Sequence, residues 1–213
     1  MIDTIIVEDN LLIQKHLMSM LGREERFRVI ASVRDAFEAE GLCRAESVDL
    51  VLMDVQTLHN HSGLSAGKRI KDASPHTKVV IVTSLIDPLV LERAKAGAAD
   101  SLWYKDHGDA DILEVIDRTL AGEQVFPVLS SNVELKDMLS SEITPRQIDI
   151  LRRFVQGMTY DEIAADLKLT KNGVRWNLDQ IVEKGGFRNK HEMLAAVIEN
   201  KLIVTTLREG AEK

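Results

Sequence analysis

The sequence has a single cysteine and no long apolar run, and both absences narrow the class of protein. Because Cys43 stands alone, an intrachain disulfide is impossible. No apolar run approaches the length of a membrane-spanning helix, which needs about 20 residues. The first ten residues lack the basic and apolar regions of a secretion signal. We therefore expect a cytoplasmic protein with no membrane association.

Charge is distributed unevenly along the chain, which has 213 residues and a net charge of −7. Residues 1–122 carry 20 acidic and 14 basic side chains, whereas residues 141–213 carry 11 acidic and 12 basic ones. An acidic first part and a nearly neutral last part predict two modules with different partners. With 45% apolar residues, the chain can bury a core in each module.

Five short apolar segments in residues 1–122 alternate with segments of helical spacing. The strand candidates are Thr4–Val7, Val29–Val33, Leu50–Met53, Val79–Thr83 and Ser101–Tyr104. Between them stand helix start signals, namely Asn10, Asp35 with Glu38 as a capping box, Asp87 before Pro88, and Asp109. The alternation predicts an α/β fold with a doubly wound, five-stranded parallel sheet.

The second half of the chain shows a different pattern. Residues 123–140 contain Pro127 and a Ser-Ser-Asn cluster, which predict a linker with one helical turn near its end. Residues 141–213 show four helices and no strand, with capping boxes at Thr144 and Thr159. A short connection at Thr170 joins the second and third of these helices, as in a helix-turn-helix. We therefore predict a small all-α domain there.

Polar side chains follow three of the predicted strands. Glu8 and Asp9 come after the first strand, and Asp54 comes after the third. Because the carboxyl ends of parallel strands share one edge of a sheet, these three carboxylates are expected to converge there. Mutual repulsion of three carboxylates is relieved by a hard cation, and Mg²⁺ suits such oxygen ligands. Thr83, which ends the fourth strand, and Lys105, which follows the fifth, add a hydroxyl and a positive charge, completing a site for phosphoryl transfer to a carboxylate.

Each of these residues also has an ordinary interpretation. Glu8 and Asp9 suit the start of a helix, Asp54 suits a turn, and Lys105 suits the solvated surface. Their joint occurrence at strand ends favours a site. His59 and His61 invite a metal interpretation, but no further ligand pair stands at a useful spacing. We expect them to be exposed loop residues.

The segments VEDN, LVLMDV, VTS and YKD, in that order, resemble the receiver domain of bacterial response regulators. Residues 143–174 follow the outline LTxRQxxxLxxxxxGxTxxEIAxxLxLTxxxV, with Ile143 in place of the first leucine. That outline resembles the LuxR-type helix-turn-helix of the NarL/FixJ family of two-component regulators. The resemblance implies a flavodoxin-like receiver domain at residues 1–122, a linker at 123–140 and a DNA-binding domain at 141–213.

The resemblance also implies roles for the acidic site. Asp54 would be the acceptor of a phosphoryl group from a sensor histidine kinase. Mg²⁺ would be held by Glu8, Asp9, Asp54 and the backbone carbonyl of Gln56. Thr83 and Lys105 would bind the phosphoryl group. The protein would then be a transcription factor and not an enzyme.

Three positions depart from the family pattern. Leu58 stands where the family has a proline, and Gly63 comes nine residues after Asp54 where the family has a glycine after eight. Leu102 stands at the usual position of an aromatic switch residue. These departures motivate an alternative, in which the receiver is a dimerisation module that works without phosphorylation. Two further alternatives are a Mg²⁺-dependent phosphohydrolase and a protein-binding adaptor.

For the DNA-binding domain, the resemblance implies contacts to double-stranded promoter DNA by a recognition helix and its neighbours. The residues concerned are Thr159, Lys171, Asn172, Arg175, Asn177, Lys184, Arg188 and Lys190. Asp179 would repel phosphate, and Trp176 is expected to be partly buried. The family forms homodimers through the last helix, where Met193, Ala196 and Val197 are candidates, although burial in their own domain remains open.

Overall fold

A computed structural model describes residues 1–105, 108–127 and 133–203. The chain divides into two compact units, Met1–Val128 and Leu129–Lys213. Within the described ranges, no helix combines the length and apolar character needed to cross a membrane. Residues 128–132 of the predicted linker and residues 204–213 of the predicted DNA-binding domain lie outside the described part. The domain boundaries inferred from the sequence stay a prediction.

A single five-stranded sheet forms the centre of the first unit. Its strands are β1 (Ile2–Val7), β2 (Phe27–Val33), β3 (Leu50–Met53), β4 (Lys78–Thr83) and β5 (Ser101–Tyr104). All neighbours are parallel, in the order β2-β1-β3-β4-β5. All four residues of β3 and of β5 are buried, as expected for strands covered on both faces. The predicted doubly wound sheet is confirmed.

Five helices flank this sheet: α1 (Leu11–Leu21), α2 (Ala36–Ala45), α3 (Gly63–Ala73), α4 (Pro88–Arg93) and α5 (Asp109–Leu120). Asn10 and Asp87 cap α1 and α4 as predicted. The cap of α5 is Gly108 and not Asp109, which is already the first helical residue. Asp35 caps α2 by accepting a hydrogen bond from Phe37 N–H, but the predicted capping box, in which the Glu38 carboxylate would accept from Asp35 N–H, is not formed.

The described residues of the second unit contain the four predicted α-helices: α6 (Pro145–Val155), α7 (Tyr160–Leu167), α8 (Lys171–Lys184) and α9 (Lys190–Glu199). The capping boxes at Thr144 and Thr159 are both present. Lys168 takes a left-handed conformation with φ 54° and ends α7, which lets the chain turn directly into α8. The helix-turn-helix is therefore formed by α7 and α8.

A small hairpin within the predicted linker was not foreseen. Its strands are β6 (Glu134–Leu135) and β7 (Met138–Leu139), and the helical turn expected after it is a 3-10 turn at Ser140–Glu142. Leu135 and Met138 are buried, and the hairpin hydrogen-bonds the end of α8. Two-residue strands leave no periodicity that a sequence pattern could reveal.

Candidate functional site

The carboxyl ends of β1 and β3 bring three carboxylates together. Val7 pairs with Met53 in the sheet, and the N–H of Asp54 donates to the carbonyl of Val7 at 2.9 Å. Both strands end there, so Glu8 and Asp54 leave the sheet side by side. One ligand oxygen each of Glu8, Asp9 and Asp54 lies within 4.8 Å of the others. The three carboxylates therefore form one acidic cluster at this edge of the sheet.

Lys105 reaches the same point from the end of β5. Its backbone N–H donates to the Thr83 carbonyl at 2.9 Å. Its side-chain Nζ lies 2.7 Å from Asp54 Oδ2 and 2.6 Å from Glu8 Oε2. The contact with Asp54 is a hydrogen bond, whereas the contact with Glu8 is ionic, without an aligned donor among the described residues. The ammonium group of Lys105 thus contacts two of the three carboxylates, those of Glu8 and Asp54.

The electrostatics of this cluster follow from burial. Burial raises the pKa of Asp54 above its usual value, although the charge of Lys105 opposes the shift. Burial, and then the charge of Asp54, also raise the pKa of Glu8. Burial works against the ammonium form of Lys105, but Asp54 and Glu8 raise its pKa overall. Excess negative charge among hard oxygen donors is the setting that fits Mg²⁺.

Thr83 and Gln56, the other two residues predicted for the site, stand near Asp54 in the strand order and in the chain. Thr83 ends β4, the neighbour of β3, and its buried hydroxyl accepts a hydrogen bond from Leu85 N–H at 3.1 Å. Gln56 lies two residues beyond Asp54 and forms a β-bridge with Ser62. The bridge bonds use the backbone groups of the residues next to Gln56 and Ser62. The backbone around Gln56 is therefore fixed where a carbonyl ligand is predicted.

Gly63 allows the longer loop after Asp54 to close. The N–H of Gly63 donates to Val55 O at 2.9 Å. A Cβ atom at this position would lie 1.8 Å from the Asp54 carbonyl oxygen. The glycine that the family pattern places eight residues after the acceptor is therefore required here at nine, because α3 begins against the Asp54 backbone.

Two side chains that support the site were missed by the sequence reasoning. Gln14 is buried on α1, and its Nε2 donates to the carbonyls of Glu8 at 3.3 Å and Val33 at 3.2 Å. Arg34 Nε donates to the Asp9 carbonyl at 3.2 Å. Gln14 shares a helix face with the buried Leu17 and Leu21. A polar residue on an apolar face was the available signal.

The switch position carries a buried aliphatic residue. Leu102 is 2% exposed, and its N–H donates to Val125 O at 3.0 Å, which ties the segment after α5 to β5. Trp103 and Tyr104 are buried beside it. Because these side chains are packed in the core, Leu102 has one buried position in this structure. That position matters for how the receiver could transmit a signal.

Residues 4–117 match the family described as response regulator receiver domain, and residues 141–197 match bacterial regulatory proteins, luxR family. The receiver match alone covers more than half of the chain. This chain belongs to the response regulator family. It is a transcriptional regulator that joins a receiver to a LuxR-type DNA-binding domain.

Full-length relatives have the same arrangement. The regulator is 29% identical over 202 residues to the transcriptional regulatory protein YvfU of Bacillus subtilis (strain 168), covering 94% of this chain and 98% of that one. It is 25% identical over 207 residues to the response regulator VraR of Staphylococcus epidermidis, covering 95% and 99%. A solved structure of two RcsB dimers bound to two parallel DNAs has a TM-score of 0.64 at 16% identity, covering 92% of the regulator and 98% of RcsB, which shows a shared fold.

In the DNA-binding domain of the regulator, each basic side chain predicted to contact DNA lies next to an acidic side chain. Lys171 lies 2.7 Å from Asp161, Arg175 3.6 Å from Asp179, Lys184 2.8 Å from Glu142, and Arg188 3.4 Å from Glu192. Lys190 pairs with Asp179 as well. Of these acidic residues, only Asp179 was singled out from the sequence. Its partners are the basic residues Arg175 and Lys190. The face on which DNA contacts are predicted is therefore largely neutralised by its own acids.

The polar and aromatic side chains of α8 divide between the surface and the helix itself. Asn172 is exposed, as predicted. The side chain of Asn177 is partly buried and donates to the Gly173 carbonyl at 2.8 Å, so it does not simply project outward. Trp176 is 60% exposed, and the expectation of partial burial is wrong. The position faces away from the core residues Val174 and Leu178.

Three other residues predicted to make intermolecular contacts have structural roles within the domain, namely Thr159, Met193 and Val197. The Thr159 hydroxyl accepts from Glu162 N–H at 3.3 Å and caps α7. Met193 and Val197 are fully buried in the core of their own unit, whereas Ala196 is half-buried. Ile198, at 48% exposure, is the large apolar residue that α9 presents to solvent among the described residues.

Proposed function

We propose that Asp54 accepts a phosphoryl group from a sensor histidine kinase and that this modification controls DNA binding. The convergence of Glu8, Asp9, Asp54 and Lys105 at one edge of the sheet carries the proposal. Mg²⁺ would be held by the three carboxylates and the backbone carbonyl of Gln56. When bound, it would neutralise charge on the phosphoryl oxygens.

The side chains of the site suit each part of the transfer. Val55 N–H holds Asp54 Oδ1 at 2.7 Å, which fixes the orientation of the carboxylate. An Asp54 oxygen would attack phosphorus and form an acyl phosphate, while the bond between phosphorus and the kinase histidine nitrogen breaks and the histidine leaves. Lys105 would then pair with the added charge, and the Thr83 hydroxyl would donate a hydrogen bond to a phosphoryl oxygen.

The output we propose is binding of a homodimer to double-stranded promoter DNA in the cytoplasm. Two recognition helices on half-sites double the contacts of a domain that is nearly neutral by itself. Since Met193 and Val197 belong to the core, a dimer contact through α9 would use Ile198. The substitution Ile198→Glu should then weaken self-association, as measured by sedimentation.

Phosphoryl uptake tests the acceptor directly. The full-length protein is incubated with Mg²⁺ and acetyl phosphate, and the adduct is located by mass spectrometry after borohydride trapping. We expect the adduct on Asp54 and none in Asp54→Asn. Asp72→Asn is the matched control, because Asp72 is an exposed carboxylate on α3 paired with Lys68. Unchanged uptake in Asp54→Asn would reject the assignment.

A second candidate function rests on the buried Leu102. A receiver without an aromatic switch residue could act as a constitutive dimerisation module. In that case DNA binding would be indifferent both to phosphodonor and to Asp54→Asn. Steady turnover of phosphate esters would instead support a phosphohydrolase, which the regulator family does not suggest.

A further inference from the structure

A second group of metal-ligating side chains lies on the receiver, formed by Asp35, His59 and His61. His59 Nδ1 lies 2.9 Å from Asp35 Oδ2, and His61 Nδ1 lies 2.6 Å from Asp35 Oδ1. Both rings therefore turn the same nitrogen toward the two oxygens of one carboxylate. One ligand atom from each residue lies within 4.8 Å of the others.

The backbone holds this arrangement together from both sides. The Thr57 hydroxyl donates to the His61 carbonyl at 2.8 Å, and Leu58 N–H donates to the Arg34 carbonyl at 2.9 Å, which ties the loop to the residue before Asp35. His59 itself has φ 60°. A left-handed conformation is unfavourable for a residue other than glycine. The loop therefore adopts this turn, which directs both histidines toward Asp35, although its backbone conformation is intrinsically unfavourable.

The chemistry of the donor set decides which ion fits. Two imidazole nitrogens and one carboxylate oxygen suit zinc and similar transition metals, whereas Mg²⁺ and Ca²⁺ prefer oxygen alone. Bonds to zinc are about 2.0–2.2 Å long, so tetrahedral ligands lie roughly 3.4 Å apart. The present separations of 2.6 Å, 2.9 Å and at most 4.8 Å bracket that value. Small movements of the rings would create the site, together with a change of tautomer in which each neutral ring loses the proton from Nδ1 and carries one on Nε2.

We propose that Asp35, His59 and His61 bind a divalent transition metal ion of the zinc class. The ligands are the Nδ1 atoms of both histidines and an Asp35 oxygen, with water completing the coordination. The side chains of His59 and His61 are 69% and 48% exposed, so the ion has free access. Its effect is to fasten the β3–α3 loop, which also contains Gln56, to the start of α2.

Zinc titration of the tag-free, full-length protein tests the site. Excess Mg²⁺ is present throughout, so that the acidic cluster around Asp54 does not take up zinc. We expect one equivalent of Zn²⁺ to bind, measured by competition with a chromogenic zinc indicator. Loss of one ligand in His59→Gln or His61→Gln should weaken binding by at least about tenfold. His76→Gln is the matched control, because His76 is exposed on the same unit and lies outside the cluster.

Two further measurements separate a ligand role from a loss of structure. Without zinc, both variants should melt like the parent protein, while zinc should raise the melting temperature of the parent only. Ring nitrogen NMR shifts of both histidines should report coordination through Nδ1. Equal zinc binding by the parent and a His59→Gln/His61→Gln double variant, or no zinc binding by the parent, would overturn the proposal. Phosphoryl uptake on Asp54 is measured separately and does not enter these outcomes.

Discussion

Replacing Gly63 by alanine should destabilise the receiver, because α3 begins against the backbone of Asp54. The added Cβ would lie 1.8 Å from the Asp54 carbonyl oxygen and 2.9 Å from Met53 Cγ. A backbone oxygen cannot rotate away, so the two segments must separate by about 1.2 Å to reach a 3.0 Å contact. Overpacking usually costs about 1–3 kcal/mol. We expect the upper end of that range, together with slower phosphoryl uptake.

The same substitution at Gly41 should have the opposite sign. Gly41 lies inside α2, and a Cβ there would meet nothing within 4 Å. Alanine in a helix interior is favoured over glycine by roughly 0.5–1 kcal/mol, because it lowers the entropy of the unfolded chain. Gly41→Ala should therefore stabilise the receiver, and it controls for any general effect of an added methyl group.

Urea denaturation followed by Trp103 fluorescence measures both effects. The regulator has two tryptophans, so the experiment uses a Trp176→Phe background in which the signal comes from Trp103, buried in the receiver core. The expected result is a lower free energy of unfolding for Gly63→Ala and a higher one for Gly41→Ala. Equal stability of the Gly63→Ala protein and its parent would refute the close contact with Asp54.

Three other outcomes follow from contacts in the two units. Asp179→Asn should tighten promoter binding in fluorescence anisotropy and steepen its salt dependence by about 1 for each released cation, Arg175 and Lys190; weaker binding would contradict this. Burial raises the pKa of the Cys43 thiol to about 11. At mildly alkaline pH, iodoacetamide should therefore label this thiol in urea but label it only slowly in the folded protein. Rapid labelling of the folded protein would disprove burial. Thr159→Ala removes the cap of α7 and should lower the unfolding free energy of that domain by about 1 kcal/mol, measured by circular dichroism, and an unchanged value would show that the cap adds nothing.

The acidic cluster could be predicted because parallel strands bring their carboxyl ends to one edge. Once Asp54 and Lys105 were assigned to strand ends, topology alone brought them close, and the distance of 2.7 Å follows from that placement. The caps at Asn10 and Thr144 were equally local, since each depends on residues two or three positions away. Interactions of this kind can be predicted because they depend either on residues close in the sequence or on the strand order.

Contacts that depend on loop conformation could not be predicted. Asp35 is 24 residues from His59 in the sequence. The two side chains meet only because the loop adopts a left-handed turn, which the residue types of the loop do not predict. The exposure of Trp176 was missed for a different reason. Helical periodicity turns position 176 away from the buried Val174 and Leu178, and this outweighs the apolar character of the side chain.

The acids that neighbour the cations predicted to contact DNA act as built-in counterions. Much of the affinity of ordinary DNA-binding proteins for arbitrary sequence comes from freeing ions condensed on the duplex. A domain whose Arg175 and Lys190 already share the carboxylate of Asp179 would gain less from that release. Such a protein would spend little time on bulk chromosomal DNA, and only an operator offering good base contacts would displace the internal partners. Selectivity for the operator would then come as much from weak binding to other DNA as from strong binding to the operator.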